Sequence, residues 1–358
     1  MSGFEQNLML NVLKVFGLST LSFFFAIAAT PTLTHYLYKY QMWKKTSGKK
    51  ALTGGEAVIF NELHKDKEVG TPRMGGILVW GSTLTLAFLF WLLAEVFNQD
   101  LFTKLNFVSQ NQTWIPIFTL LAAALLGLAD DLSQIWGTGK YFSGGIPLLT
   151  RILVVAAIGF VGAYWFYYKL EFNSVYVPGY GALIIGALYI PLFITVMIAT
   201  FSGGVIDGID GLAGGVMAAI FAAYSGIAFF QNQIDLAAFC GVIMGALLAF
   251  LWFNIPPARF YMGETGMLGL TTTLTVIAFL TDSVLVLPII AFPLVAASGS
   301  DIIQIASKKF LGRKVFRVAP IQHHFEALGW PSYKVTMRFW VVSTICAVLG
   351  MVITLIGR

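Results

Sequence analysis

The chain has 358 residues, 58% of them hydrophobic and only 11% charged, with a formal net charge of +5 and a mean hydropathy of +0.80. Ordinary soluble domains carry about 25% charged residues, so the composition excludes a soluble protein and defines an integral membrane protein. The excess of Lys and Arg reads as membrane topology plus attraction for anionic lipid or substrate, not as a nucleic-acid signature.

Apolar segments of about 17 to 25 residues recur along the chain, each long enough to cross a hydrocarbon core of about 30 Å as a helix. The short alternating strands of a membrane barrel are missing from the pattern. The expected fold class is therefore an all-α bundle of about ten transmembrane helices, forming one domain over residues 1–358. The first span is placed at 16–38; its basic cluster follows the apolar run, so it reads as a retained helix and not as a cleaved leader. A polar, glycine-containing segment, 39–73, comes next and reads as a mobile surface loop. Further spans are placed at 74–97, 114–129, 148–168, 180–200, 211–230, 237–253, 266–281, 283–306 and 335–356. No transporter-like repeat, coiled coil or low-complexity tract interrupts them.

Ten spans divide the loops into two sets. One set contains all but four of the 22 Lys and Arg, the exceptions being Lys14, Lys104, Lys169 and Arg358. By the positive-inside rule that set is cytoplasmic and both termini lie outside. Cys240 and Cys346 sit in separate apolar runs without metal-ligand spacing and read as inert buried thiols.

Scarce carboxylates gather on the same face. "GLADDLSQ" closes the third span with Asp130 and Asp131, "VIDGIDGLAGG" opens the sixth with Asp207 and Asp210, and "YMGETGMLG" opens the eighth with Glu264. Each has a plain structural reading. The Asp130 and Asp131 pair would end a helix in the headgroup region, Asp207 would cap the sixth helix, and Asp210 and Glu264 would sit in first turns favoured by the helix dipole. Together, on a face assigned from Lys and Arg alone, they point to a shared site.

Acidic oxygen ligands, glycines that admit a ligand and nearby cations suit Mg²⁺, which takes one or two protein carboxylates plus substrate phosphates. The chemistry expected is Mg²⁺-dependent phosphoryl transfer. Lys67, Arg73, Lys140, Arg151 and the stretch from Lys308 to Arg317 are the cations for further phosphate oxygens. His323 and His324, half of the four histidines, follow that basic run. Such a pair is commonly solvated, yet imidazole near neutral pH also donates to phosphate or exchanges a proton.

The motifs "TPRMGG" at 71–76, "GLADDLSQ" at 127–134, "DGIDGLAGG" at 207–215, "LWFNIPPARFYMGETG" at 251–266 and "APIQHHFEALGWPSYKVTMRFW" at 319–340 resemble, in order and spacing, the phospho-N-acetylmuramoyl-pentapeptide transferase family. That family lies within the polyprenyl-phosphate sugar-1-phosphate transferases, and "HHFEALGW" followed by "KVTMRFW" is the part closest to the muramyl-pentapeptide branch. The resemblance implies a ten-helix enzyme of the bacterial inner membrane with its site on the cytoplasmic face. It would move phospho-MurNAc-pentapeptide from UDP-MurNAc-pentapeptide to undecaprenyl phosphate, giving lipid I and UMP with Mg²⁺. A homodimer would be carried over from the family.

By motif, Asp130 and Asp131 match the family's acidic pair, Asp207 its essential loop aspartate and Glu264 its metal-binding carboxylate. The expected catalytic group is thus Asp130, Asp131, Asp207, Glu264, His323 and His324, with Asp207 and Glu264 holding the metal. Asn254 and Gln304 match polar positions near the nucleotide, and Tyr261 stands where an aromatic stacks on uracil. With Lys67, Thr71, Arg151 and Asp210 these make up the expected substrate-binding set. Three departures stand out. Glu264 replaces the usual aspartate, lengthening the side chain by about 1.5 Å, one carbon–carbon bond; "FSGGVI" replaces an asparagine-rich run; and Gln322 takes the first place of a triple histidine.

Two other readings stay open on the sequence. A sister transferase acting on UDP-GlcNAc shares the acidic motifs. A proton- or ion-coupled transporter places carboxylates within the membrane, but near its midplane instead of at one face.

Overall fold

A computed structural model describes residues 3–45, 69–97, 99–108, 111–137 and 145–357; Lys67 and Lys140 lie outside the described residues. Among the described residues, nine helices are long and apolar enough to cross a membrane. In chain order the helices are α1 (Gly3–Val12), α2 (Leu18–Lys39), α3 (Gly76–Phe97), α4 (Asp100–Leu105), α5 (Asn111–Trp136), α6 (Leu148–Lys169), α7 (Tyr189–Ser202), α8 (Leu212–Phe230), α9 (Ile234–Asn254), α10 (Gly263–Leu280), α11 (Leu287–Ile290), α12 (Phe292–Leu311), α13 (Ile321–Ala327) and α14 (Ser332–Ile356).

Helix α10 is the centre of the bundle and is buried along almost its whole length. Its apolar residues run around the helix without a polar stripe, as expected for a helix with no exposed face. Several of its threonine hydroxyls bond backbone carbonyls: Thr271 donates to the Met267 carbonyl at 2.7 Å and Thr272 to Leu268 at 2.6 Å within the helix, and Thr265 donates to the Ala124 carbonyl of α5 at 3.0 Å. These bonds satisfy the hydroxyls within the apolar layer; Thr273 is the exception on this helix, its buried hydroxyl having no partner among the described residues. Small residues let neighbours approach. A methyl at Gly127 of α5 would stand 2.2 Å from the Glu264 carbonyl oxygen, and one at Gly245 of α9 2.1 Å from the Ser19 carbonyl oxygen. Close backbone approach of this kind is how membrane helices gain packing without a hydrophobic driving force.

Four features differ from the sequence expectation. The first span is longer, because α1 runs into α2 through a π-helical turn at Leu13–Gly17. Before α7 a two-stranded antiparallel hairpin, β1 (Ser174–Val177) and β2 (Gly181–Ile184), stands in place of the start of the fifth span. "PGYG" at 178–181 carried the turn signal, and the hairpin grips the chain end, since Tyr176 and the Gly179 amide both donate to the Gly357 carbonyl. The ninth expected span divides at Ala291 into α11 and α12; Pro293 sits in the first turn of α12, where proline is tolerated. Finally, α5 continues to Trp136, so Asp130 and Asp131 lie inside a helix and do not end it.

At the other end of α9, Lys14 is buried against Asp235 and also donates to the Asn106 carbonyl at 2.8 Å. Replacing Lys14 by Met removes the ammonium that neutralises a buried carboxylate, a change that costs roughly 3–5 kcal/mol. A lower Tm of the purified protein in detergent is expected, with most of the loss recovered in the double variant Lys14→Met, Asp235→Leu.

Candidate active site

The site is assembled where α5, the segment 71–76, the loop 203–211 and the start of α10 meet. The first amides of α10 need acceptors, as at any helix N-terminus. Asp131 supplies them from α5: its Oδ1 accepts from the Glu264 amide at 3.2 Å and its Oδ2 from the Thr265 amide at 2.9 Å. Gly263 makes this possible. Its φ is +73°, and a Cβ there would stand 2.5 Å from Asp131 Oδ2, so a side chain at 263 would be both strained and obstructed.

Asp130, one residue earlier, is also fully buried. Its Oδ1 accepts from the Ile146 amide at 2.6 Å, and its Oδ2 from Gln134 Nε2 at 2.7 Å and from Arg151 Nη1 at 3.5 Å. The same Arg151 nitrogen lies 2.9 Å from Glu264 Oε1. Arg73 completes the polar layer, donating to Gln134 Oε1 at 2.8 Å with its Nε 4.0 Å from Asp131 Oδ1. The adjacent aspartates are therefore anchors: one caps α10, the other orients Arg151 and Gln134.

Asp207 does not cap α8. That helix begins at Leu212 after Gly211, whereas Asp207 ends the 3-10 turn Gly203–Ile206. Its Oδ2 accepts from the Gly263 amide at 3.1 Å, which brings its carboxylate to the residue next to Glu264. Asp207 and Glu264 are both partly exposed, unlike Asp130 and Asp131. Asp210 accepts from the Ala258 amide at 3.3 Å, and Thr336 and Trp340 of α14 donate to the carbonyls of Asp210 and Gly211, each at 3.0 Å.

Asn254 is buried, with Oδ1 accepting from the Gly211 amide at 2.9 Å and Nδ2 donating to the Phe260 carbonyl at 2.8 Å. It ties the two site loops together. Tyr261 is paired with Thr71, while the backbone of 72–76 joins that of 261–262: Tyr261 N to the Pro72 carbonyl, Gly75 N to Tyr261 and Gly76 N to Met262, at 2.8 to 2.9 Å. Burial, and then the carboxylates of Asp210 and Asp207, push the Tyr261 phenol up to about 12. The hydroxyl is neutral at pH 7 and keeps its proton.

Gln304 and His324 organise a neighbouring segment. Gln304 Oε1 accepts from the Val315 and Phe316 amides and its Nε2 donates to the Phe316 carbonyl, at 2.8 to 3.1 Å. His324 Nδ1 accepts from the Arg317 amide at 3.1 Å. His323 instead turns inward, buried, with Nδ1 2.7 Å from Glu326 Oε2. Gln134, Glu326 and Ser332 were not anticipated from the sequence. Gln134 stands four residues after Asp130 and Glu326 three after His323, the helical spacings at which side chains meet.

Three carboxyl groups, Asp130, Asp131 and Glu264, thus face the guanidinium groups of Arg73 and Arg151, while Asp207 and Asp210 accept from the backbone amides of Gly263 and Ala258. Asp207 and Glu264 are both partly exposed, and the bond from the Gly263 amide to Asp207 places that carboxylate one residue from Glu264 in the chain. No group of three or more His, Cys, Asp or Glu occurs among the described residues with the spacing to hold a metal. Two oxygen carboxylates on separate elements nevertheless fit Mg²⁺, whose remaining positions go to water and phosphate.

Long apolar helices around a charged layer of carboxylates and guanidiniums make up a membrane protein with a polar site, and residues 113–282 match Glycosyl transferase family 4, which makes it a transferase. Among its relatives are proteins named phospho-N-acetylmuramoyl-pentapeptide-transferase. That of Chloroflexus aggregans is 32% identical over 303 residues, covering 81% of this chain and 78% of its own length. Those of Anoxybacillus flavithermus and Pelagibacter ubique are each 33% identical, over 80% of this chain and 85% and 81% of their own lengths. The chain belongs to the phospho-N-acetylmuramoyl-pentapeptide-transferase family. It is a bacterial membrane enzyme of peptidoglycan synthesis.

Proposed function

We propose that this chain transfers phospho-MurNAc-pentapeptide from UDP-MurNAc-pentapeptide to undecaprenyl phosphate, forming lipid I and UMP. The single observation that carries the reading is that Asp207 accepts from the Gly263 amide while the next residue, Glu264, turns its carboxylate to Arg151. It is supported by relatives named for transfer of the phospho-N-acetylmuramoyl-pentapeptide group. The site opens on the cytoplasmic face of the inner membrane, with both termini outside and residues 1–358 forming one domain that pairs as a homodimer.

The acceptor is a phosphate monoester with a second pKa of about 6, so it is largely dianionic at pH 7. Attack on the pyrophosphate therefore needs little help from a base. The difficulty is bringing two anions together, and catalysis is positioning and charge neutralisation. Asp207 and Glu264 would hold Mg²⁺, which supplies charge neutralisation and orients phosphate oxygens when bound. Arg151 meets a further phosphate oxygen, and Asp130 acts through it, fixing the guanidinium from behind. Tyr261, held by Thr71, offers its ring to the base. Lys67 would add one more cation for the diphosphate, and His323 and His324 would serve its phosphate groups. The lipid phosphate attacks directly; trapping a phosphosugar on Glu264 or Asp130 would overturn that step.

Purified protein with UDP-MurNAc-pentapeptide, undecaprenyl phosphate and Mg²⁺ is expected to yield lipid product and stoichiometric UMP, and neither when any component is omitted. Product from UDP-GlcNAc alone would move the chain to the sister transferases. A second expectation concerns Glu264→Asp. Withdrawing the carboxylate by about 1.5 Å takes it out of reach of Arg151, from which Glu264 Oε1 now stands 2.9 Å away. A rate about ten- to a hundredfold lower is expected, the worth of one charged hydrogen bond, together with a higher Mg²⁺ requirement in initial-rate titrations. An equal or faster rate would show that this site accepts either chain length.

A further inference from the structure

The α13 segment is stitched to the site from two sides. Gln322 Nε2 donates to the Val205 carbonyl at 2.9 Å, and the Ile321 amide donates to Ser300 Oγ at 2.8 Å. Between these ties, His323 and Glu326 meet one helical turn apart, both buried. The chain of contacts continues outward, because Ser332 at the start of α14 donates its hydroxyl to Glu326 Oε1 at 2.6 Å. It also continues inward. A Cβ at Gly208 would stand 2.5 Å from His323 Nε2, so that ring nitrogen is packed on the backbone of the residue next to Asp207.

We propose that Glu326, held by Ser332, is a positioning residue that fixes the ring orientation and tautomer of His323, so that Nε2 faces the Asp207–Gly208 loop. A carboxylate beside one imidazole nitrogen accepts a hydrogen bond from that nitrogen, keeping the ring proton there and turning the other nitrogen to the site, which is how outer partners tune histidines that serve a site. The 2.7 Å contact of Glu326 with Nδ1 therefore places the N–H on Nδ1 and assigns Nε2 to the site. Gly208 belongs to the same device: with a larger residue, the ring and the loop would compete for one volume. The functional consequence rests on the reading that the Asp207 loop meets the diphosphate, but the tautomer does not.

The test uses the full chain labelled with ¹⁵N-histidine, the His323 signals being assigned by difference from His323→Asn. Long-range ¹H–¹⁵N correlation without substrate is expected to show His323 as a single Nδ1–H tautomer. That state should persist in Glu326→Gln, whose amide oxygen still accepts, and give way to a mixture in Glu326→Ala. In the lipid product assay, Glu326→Ala is expected to lower kcat about ten- to a hundredfold, the usual cost of losing such a partner, with KM for the nucleotide substrate little changed. Adding Glu326→Ala to His323→Asn should then cost nothing more, since the two act as one unit. A mixed tautomer in the parent protein, an unchanged tautomer in Glu326→Ala, or additive losses would each overturn the proposal. Should the parent make no lipid product from UDP-MurNAc-pentapeptide, the tautomer result still decides this inference while the functional reading fails separately. If Glu326→Ala does not fold, Ser332→Ala loosens the same carboxylate and is expected to give a partial mixture of tautomers.

Discussion

Asp207→Asn is expected to lower the rate of lipid product formation about 10²- to 10³-fold, the loss typical of removing one electrostatic contact to a reacting centre. The substitution is nearly isosteric and an amide oxygen still accepts from the Gly263 amide, now at 3.1 Å from Oδ2. The loop should keep its place. What is lost is a negative charge on a partly exposed carboxylate beside Glu264, where the local balance already includes Arg73 and Arg151. Measured with UDP-MurNAc-pentapeptide and undecaprenyl phosphate at several Mg²⁺ concentrations, the loss should fall on kcat and on the metal requirement, with an unchanged Tm. Full activity in this variant would remove Asp207 from the site.

Gly127→Ala is expected to disable the protein by a different route. The new methyl would stand 2.2 Å from the Glu264 carbonyl oxygen and 2.6 Å from the Thr265 Cα. Both obstacles are backbone atoms at the start of α10, so no side-chain rotation relieves them. Overpacking costs about 1–3 kcal/mol when side chains can adjust and more when they cannot. The helices must separate, and Asp131 on α5 then loses its 2.9 Å and 3.2 Å contacts with the α10 amides. A lower Tm in detergent and a loss of activity in whatever protein remains folded are expected together. An active Gly127→Ala protein with the parent Tm would show that α5 and α10 tolerate separation at this point.

These two variants mark how differently the site residues were legible. Asp207 and Glu264 stand in motifs whose glycines and charges are conspicuous in an apolar chain, and the structure ties Asp207 to the amide of Gly263, the residue before Glu264. Asp130 and Asp131 were equally conspicuous, but their burial inside α5 was not, because a carboxylate is expected to end a membrane helix unless partners satisfy it. Those partners are the Ile146 amide, Gln134, Arg151 and the α10 N-terminus, all remote in sequence or unremarkable within it. Asn254 and Gln304 likewise read as polar groups near a ligand, while their amides hold loop backbones together. The His323 and Glu326 pair lay in plain view as an i, i+3 spacing, yet only the packing on Gly208 gives it a direction.

That the chain is a multi-span membrane protein, roughly where each helix runs and in which motifs its scarce carboxylates gather could all be read from the amino-acid sequence. Hydrocarbon tolerates charge so poorly that long apolar runs and stray carboxylates are informative without any fold. Which carboxylates are buried anchors and which stay partly exposed became visible only in the folded chain. That distinction depends on amides and guanidiniums brought from 16 to 134 residues away in the chain, and distant partners of that kind leave no mark in local spacing.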